Sequence, residues 1–175
     1  MTTDTRLGAQ SEMIRRHVRQ RLVSMLAGPV WIGVSVLVMR FWFRYRIEDV
    51  EDVRARYRAL RAQSDGPILV CANHLTLVDS FLIAWACGGP GYWLTHPDEL
   101  PWNTPERTNF GKTWIARALI YVAKCIPITR GGAREDVGDV LERVKHLMGR
   151  GETALLFPEA GRSRSGRADD PADPP

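Results

Sequence analysis

An uncharged, apolar stretch near the N-terminus constrains this chain more than any other feature. It runs for 18 residues from Leu22 to Met39, with Arg21 before it and Arg40 after it. A helix of that length just reaches the lower limit for crossing the hydrocarbon core of a bilayer. Pro29 lies inside the stretch, and proline removes an amide donor from a helix. We therefore expect two short helical pieces rather than one straight span.

Basic residues flank both ends of the apolar stretch and leave its arrangement open. The arginines are Arg15, Arg16, Arg19 and Arg21 before it and Arg40, Arg44 and Arg46 after it, so the positive-inside rule gives no orientation. The stretch can dip into one leaflet or lie in the interface, with Trp31, Phe41, Trp42 and Phe43 as aromatic anchors. It can also span the membrane or be buried in a soluble core. We favour a segment that stays on one side of the bilayer, either dipping into one leaflet or lying in the interface, and we expect a membrane-associated protein. No small-residue cleavage site follows, which argues against a secretory signal peptide.

The rest of the composition describes a folded domain whose positive charge is concentrated at one end. Residues 1–46 carry eight arginines against Asp4 and Glu12, a net charge of +6, whereas the whole chain carries only +4. This asymmetry argues against a uniformly basic surface that binds nucleic acid. With 175 residues, 45% of them apolar and 25% charged, the chain is long enough for one domain with a real core and is not wholly disordered.

The three cysteines predict neither a disulfide framework nor a metal site. Cys71, Cys87 and Cys125 are odd in number and show no C-x-x-C spacing, so we expect small buried residues in a reducing compartment. We predict no metal site and place the protein at a membrane, on its cytoplasmic side.

Beyond the N-terminal stretch, the hydrophobic periodicity alternates between that of helices and that of strands. Helices are predicted over residues 51–62, 79–87, 113–124 and 134–148, strands over 68–72, 92–95, 125–129 and 153–157, and a loop over 97–111. The 68–72 run is continuously apolar, as in a strand buried on both faces. Strands alternating with helices predict an α/β fold with a largely parallel sheet flanked by helices.

The first group of chemically useful side chains directly follows a predicted strand. Asn73 and His74 come after the 68–72 run, and Asp79 stands five residues beyond His74. If the intervening residues form a turn, the Asp79 carboxylate can accept the imidazole N–H and leave the other ring nitrogen as a base. The alternative is that Asp79 only caps a helix and His74 fills a loop.

Two further groups follow the later predicted strands. Arg130 comes after the 125–129 run, and Glu159, Arg162 and Ser163 lie in the glycine-containing loop after 153–157. Closely spaced arginines and glycines can bind a phosphate through guanidinium groups and backbone amides. Taken alone, that loop could equally be a solvated basic segment.

Taken together, the order and placement of these groups resemble the glycerolipid acyltransferases typified by 1-acyl-glycerol-3-phosphate acyltransferase. The family's first block, Asn-His-x-x-x-x-Asp, matches Asn73, His74 and Asp79, and its second, an apolar strand ending in arginine, matches residues 126–130. The third block, Phe-Pro-Glu-Gly-Thr-Arg-Ser, matches Phe157, Pro158, Glu159, Arg162 and Ser163, with Ala160 and Gly161 in place of Gly-Thr. A fourth, apolar block is expected downstream, and no match to it follows residue 166.

The resemblance implies an acyltransferase domain over 47–166, with its active site on the cytoplasmic face. The apolar stretch and its charge predict membrane-associating helices over 1–46, and the aspartates and prolines of 167–175 predict a disordered tail. The resemblance also implies an O-acyltransferase that moves an acyl group from acyl-CoA or acyl carrier protein to a lysophospholipid or glycerol phosphate, in phosphatidic acid synthesis, with no bound cofactor and no nucleic-acid partner. His74 would be the general base and Asp79 its orienting partner. Arg130 and Arg162 would hold the acceptor phosphate, and Asn73, Glu159 and Ser163 would complete the substrate site.

Two alternatives from other classes remain open on the sequence alone. The first is a membrane-bound lipid-binding protein without activity. Within the acyltransferase class, the acceptor could also be a lyso-aminolipid that lacks phosphate. The second, a soluble hydrolase, is weak because the Gly-x-Ser-x-Gly pattern of a nucleophile elbow is absent.

Overall fold

The computed structural model describes residues 3–110, 113–129 and 131–158, with side chains described from Gly8 onward. The predicted tail over 167–175 lies outside these residues. In chain order, the described elements are α1 (Thr3–Leu37), which continues into a π-helical turn (Val38–Trp42), then α2 (Val50–Gln63), β1 (Leu69–Cys71), α3 (Asp79–Cys87), α4 (Pro90–Thr95), β2 (Trp102–Asn103), α5 (Arg107–Phe110), α6 (Trp114–Val122), α7 (Arg134–Gly149) and β3 (Ala154–Leu156).

The described strands form a small parallel sheet, as the sequence predicts. The strand order is β1-β3-β2, so that β3 is central. Cys71 pairs with Leu156 on one side of β3, and Asn103 pairs with Leu155 on the other. Because all three strands run in the same direction, the segments that follow them emerge at one edge of the sheet.

Helices cover the sheet and bury two apolar clusters. One cluster brings Ile32 of α1 against Tyr57, Trp93 and Leu100. The buried residues of the other cluster are Trp102, Ile126, Val140, Leu147 and Ala154. The apolar stripe of α7, spaced three and four residues apart, supplies Val140 and Leu147 to this second cluster. The N-terminal helix is thus packed into the same body as the sheet.

Helix α1 is one continuous helix, and the expectation of two pieces was wrong. Pro29 lies within this helix. Proline removes one backbone hydrogen bond, and the packing of α1 against the domain keeps the helix intact on either side. Gly8–Trp42 is long and apolar enough to cross a membrane by length and composition. This N-terminal helix therefore suggests membrane association.

Part of α1 has the opposite burial from a water-soluble helix, although Ile32 of the same helix is buried in the core. His17, Gln20 and Ser24 are buried against the domain, whereas Leu22, Leu26, Val30 and Leu37 are exposed. A helix that packs on a protein core in water buries its apolar side chains and exposes its polar ones. Here, the apolar side chains form the outer face of the helix.

Several local predictions failed, and each failure has a physical reason. Residues 92–95 belong to helix α4 rather than a strand, because Gly89 takes a positive φ of 69° and Pro90 then starts the helix. The predicted loop 97–111 contains β2 and α5. Residues 125–129 form only isolated bridges, Cys125 to Asn103 and Ile128 to Glu106. Strand β1 is an edge strand with Leu69 and Cys71 exposed, so it is not buried on both faces.

Candidate functional site

The turn after β1 brings His74 and Asp79 into contact. Nδ1 of His74 lies 3.0 Å from Oδ2 of Asp79, and both side chains are largely buried. An ionised carboxylate can only accept, so the imidazole proton resides on Nδ1 and Nε2 carries the lone pair. Within the described part of the chain, Nε2 has no hydrogen-bond partner. The pair therefore has the geometry of an oriented base.

The same turn explains why the five-residue spacing works. Thr76 and Asp79 have the spacing of a capping box, but here their side chains contact each other and Val78 is the N-cap of α3. The backbone N–H of Thr76 donates to Asp79 Oδ2 at 2.8 Å, and the Thr76 hydroxyl donates to Oδ1 at 2.5 Å. The backbone N–H of Leu75 also donates to Oδ2, at 2.6 Å. Asp79 is the first residue of α3 and also contacts His74. The two alternatives from the sequence, a residue at a helix start and a partner for His74, therefore both hold for this carboxylate.

The charge on Asp79 is stabilised by these contacts. Burial raises the pKa of Asp79, but the hydrogen bonds from Thr76, His74 and Leu75 outweigh it and keep this pKa below its usual value. The carboxylate is consequently ionised at neutral pH and able to support a positive charge on the His74 ring.

The end of β3 supplies the wall behind the His74 ring. Phe157, the first residue after the strand, stacks on the imidazole with ring centroids 4.3 Å apart and planes 24° apart. The contact follows from the pairing of β1 with β3, because Cys71 and Leu156 lie side by side. It also places the start of the third sequence block beside the first.

His74 lines a cavity at this edge of the sheet. The cavity encloses about 510 Å³ and is bounded by α3, by the segment that follows β2 and by α6. A second, mostly apolar cavity of about 530 Å³ lies between α1 and α3, with walls that include Trp31, Ile32 and Met39. The two cavities share Ser80, Phe81, Asn103 and Cys125. A bound molecule at His74 thus has an apolar neighbour volume directly behind this wall.

The remaining predicted site residues are only partly within the described chain. Asn73 is exposed, directly before His74. Arg130, Glu159, Arg162 and Ser163 lie outside the described residues, so their substrate roles stay predictions. Within the ranges that the structure describes, no three His, Cys, Asp or Glu side chains are grouped so as to hold a metal ion.

A second polar cluster, which the sequence analysis did not predict, lies at the opposite end of β3. The Glu152 carboxylate lies 2.9 Å from Nε2 of His17 and 3.8 Å from Nζ of Lys124, and it accepts a 2.6 Å hydrogen bond from Trp102 Nε1. Burial raises the pKa of Glu152, yet its contacts with His17, Lys124 and Trp102 lower that pKa to about 2. These residues lie more than 20 positions apart in the chain, so no local motif announces them.

Asn103 and Thr76 are the other contributors that motif matching missed. Asn103 donates from Nδ2 to Ser80 Oγ at 2.5 Å across the wall between the cavities. Thr76 could have been found, because Ser or Thr three residues before Asp or Glu is the signature of a capping box. No sequence pattern marks Asn103, because only the pairing of β2 with β3 brings it next to α3.

Comparison with known proteins identifies the family of the domain. A sequence model of the acyltransferase domain family matches residues 44–172, well over half of the chain. No curated protein and no solved structure matches the chain significantly. The matched range contains all three sequence blocks and the His74 cavity. The chain therefore belongs to the acyltransferase family, whose domain is typified by 1-acyl-glycerol-3-phosphate acyltransferase.

Proposed function

We propose that this acyltransferase moves a fatty acyl group from acyl-CoA or acyl carrier protein to a hydroxyl of a lysophospholipid or glycerol phosphate, as in phosphatidic acid synthesis. The observation that carries the proposal is the His74–Asp79 contact of 3.0 Å at the wall of a cavity. Unpaired cysteines in the described chain are in keeping with a site on the cytoplasmic face of a membrane.

The proposed reaction needs one base and no protein nucleophile. Nε2 of His74 takes the proton from the acceptor hydroxyl as its oxygen attacks the thioester carbonyl carbon. The tetrahedral intermediate then collapses, the carbon–sulfur bond breaks, and the departing thiolate receives the proton back from His74. Asp79 keeps the ring oriented and stabilises its positive charge in between. Such a positioned base contributes about 10²- to 10⁴-fold to the rate.

The apolar cavity supports a fatty acyl substrate. It adjoins the His74 cavity across the wall that contains Ser80, Phe81 and Asn103. A hydrocarbon chain gains about 0.8 kcal/mol for each methylene that it buries, so a cavity of this kind favours a long chain over a short one. We propose that it holds the chain of a substrate whose ester or thioester carbonyl lies near His74.

The acceptor's phosphate is assigned to residues of the second and third blocks. Arg130 and Arg162 are proposed to bind it, because a guanidinium group offers paired donors to phosphate oxygens. Glu159 would position Arg162 or the acceptor hydroxyl, with Asn73 and Ser163 as further polar contacts. The Gly-Thr to Ala160-Gly161 change favours one alternative, an acceptor without phosphate, such as a lyso-aminolipid.

The test is an assay of the purified chain with lysophosphatidic acid and a long-chain acyl-CoA, in which the lipid product is measured. His74→Ala should lower the maximal rate by about 10²- to 10⁴-fold, and Asp79→Asn should remove most of the activity. His96→Ala is the matched control, because His96 is exposed and stacks on Tyr92, away from the residues that line the cavity. Near-normal turnover by His74→Ala would overturn the mechanism.

Comparing acceptors in the same assay tests the phosphate assignment. Arg162→Ala should raise the Michaelis constant for lysophosphatidic acid by about 10- to 150-fold and should change thioester hydrolysis by water much less. An equal effect on phosphorylated and phosphate-free acceptors would favour the lyso-aminolipid instead. If the parent turns over no thioester at all, acyl transfer by this chain is excluded and the lipid-binding alternative is supported.

A further inference from the structure

Helix α6 exposes a second apolar face, separate from that of α1. Trp114 is 72% exposed and Ile115 is 62% exposed, and Leu119 continues the same side one turn later. Ile120 is buried and lines the His74 cavity. One side of this helix therefore bounds the candidate site while its outer side presents large apolar residues to the surroundings.

The apolar faces of α6 and α1 lie beside each other. Nε2 of Gln20, on α1, donates to the backbone carbonyls of Tyr121 and Cys125, each at 2.8 Å. At 100° per residue, Val23 and Ala27 lie on the same flank of α1 as Gln20, towards α6. The exposed Leu26 and Val30 follow on the outer side of that flank. The exposed apolar residues of the two neighbouring helices therefore lie on adjoining parts of the surface.

The sequence segments around both helices are rich in positive charge. Residues 13–47 contain seven arginines and no aspartate or glutamate, and residues 107–134 contain four arginines and two lysines and again no acidic residue. Since the whole chain carries +4, thirteen positive charges in these two segments leave a net charge of −9 elsewhere. Arg15, Arg16 and Arg21 pair with carboxylates and Lys124 is buried. The exposed cations near the two helices include Arg19, Arg40, Arg44 and Arg117.

We propose that α6 and the outer face of α1 together form a surface that binds an anionic lipid bilayer. Apolar residues enter the boundary of the acyl chains, tryptophan prefers the interface, and arginines attract anionic headgroups. The exposed apolar side chains of α1 support a lipid occupant, because this outer face would be unfavourable in water. Lipid binding would not depend on catalysis. Given the proposed function, it would also hold the His74 cavity beside the bilayer that supplies a lipid acceptor.

The experiment measures binding of the full chain to vesicles of phosphatidylcholine alone and of phosphatidylcholine with phosphatidylglycerol. The α6 variant combines Trp114→Ala with Ile115→Gln. The matched control is Leu141→Gln, because Leu141 is also an exposed apolar side chain, 53% exposed, but lies on α7. We expect the α6 variant to bind the anionic vesicles about tenfold or more weakly than the parent, the control to bind like the parent, and 0.5 M salt to weaken binding in part.

Circular dichroism and the thermal midpoint of each variant establish that it is folded. Unchanged vesicle binding by the folded α6 variant would overturn the role of α6. Equal binding to both kinds of vesicle would overturn the charge argument. If the parent ignores vesicles and instead forms dimers that the α6 variant abolishes, the surface is an interface between copies, and the lipid assignment is wrong. None of these results depends on turnover, so they remain separable from the failure of the proposed reaction.

Discussion

Asp79 serves two structural purposes within one short turn. Its Oδ2 atom receives hydrogen bonds from the ring of His74 and from two backbone amides, and its Oδ1 atom receives the Thr76 hydroxyl. The carboxylate cannot change position without disturbing both the start of α3 and the orientation of His74. The order of the candidate site is consequently linked to the stability of a helix end.

This link predicts the effect of Thr76→Val, which keeps the shape of the side chain and removes its hydroxyl. We expect a loss of about 1 kcal/mol in the free energy of unfolding. The maximal rate of acyl transfer should also fall, because His74 is held less firmly, whereas the Michaelis constant should change little. Urea unfolding and steady-state kinetics measure the two effects.

Thr113→Val is the control for that variant. The Thr113 hydroxyl also stabilises a helix start, because it accepts from the N–H of Ala116 at 3.1 Å, but it is not in contact with Asp79 or His74. It should lose similar stability and retain its rate on an acceptor that needs no membrane. Equal loss of rate in both variants would show that Thr76 acts only through general stability.

At the scale of elements, a buried lysine joins segments that are distant in the chain. Lys124, just after α6, donates from Nζ to the carbonyls of Pro97 and Leu100 at 3.0 and 2.9 Å and lies near Glu152, before β3. Burial lowers the pKa of Lys124 to about 8, despite the opposing effect of Glu152. The side chain is still mostly charged at neutral pH and fixes the segment ahead of β2.

We expect Lys124→Met to destabilise the fold by about 3–5 kcal/mol, because it leaves Glu152 without its lysine partner and two carbonyls without donors. The matched control is Lys145→Met, since Lys145 forms an exposed ion pair with Glu142, and such pairs contribute about 1 kcal/mol or less. Chemical unfolding of both variants measures the difference. A loss at Lys124 no larger than that at Lys145 would contradict the argument.

The elements that the sequence predicted well are those whose pattern is local. The periodic apolar side of α7 and the short apolar run that became β3 both arise from neighbouring residues. The 92–95 segment was mistaken for a strand because its few apolar residues suit either structure, and the turn at Gly89 and Pro90 decided the outcome. The continuity of α1 through Pro29 depends on packing against the domain, which periodicity does not contain.

In the candidate site, too, the local contacts were predictable from the sequence and the long-range contacts were not. His74 and Asp79 were predictable because both lie in one turn, where the spacing allows contact. Phe157 was part of a recognisable block, but its stacking on His74 requires the pairing of β1 with β3. His17 and Glu152 stand 135 residues apart, so their contact follows only from the docking of α1 on the sheet.

At the scale of the whole molecule, buried carboxylates make stability depend on pH. Glu152 has a pKa of about 2, and the pKa of Asp79 is also lowered, so both bind protons less readily in the folded than in the unfolded protein. Their contribution is complete above the unfolded pKa values and is lost as the pH falls through the folded ones. Acid should therefore weaken both the packing of α1 at Glu152 and the turn that holds His74 at Asp79.

We predict that the free energy of unfolding falls by on the order of 3 kcal/mol through Glu152 alone as the pH drops from about 5 to about 2. Glu152→Gln should be less stable than the parent at pH 7 and should show a shallower loss in acid. Urea unfolding at a series of pH values gives both slopes, with Glu142→Gln as the surface control. Parallel slopes for the parent and Glu152→Gln would refute the assignment.

The burial of His17, Gln20 and Ser24 on the inner side of α1 limits how the protein can use a bilayer. If α1 left the domain to cross the membrane, His17 and Gln20 would lose their partners, Glu152 and the carbonyls of Tyr121 and Cys125, at a cost of several kcal/mol. The intact fold can therefore touch lipid from one side only. With the proposed lipid acceptor, an enzyme attached in this way would take the acceptor from one leaflet and return the product to it. The two leaflets would then differ in composition until a separate process moved lipid between them.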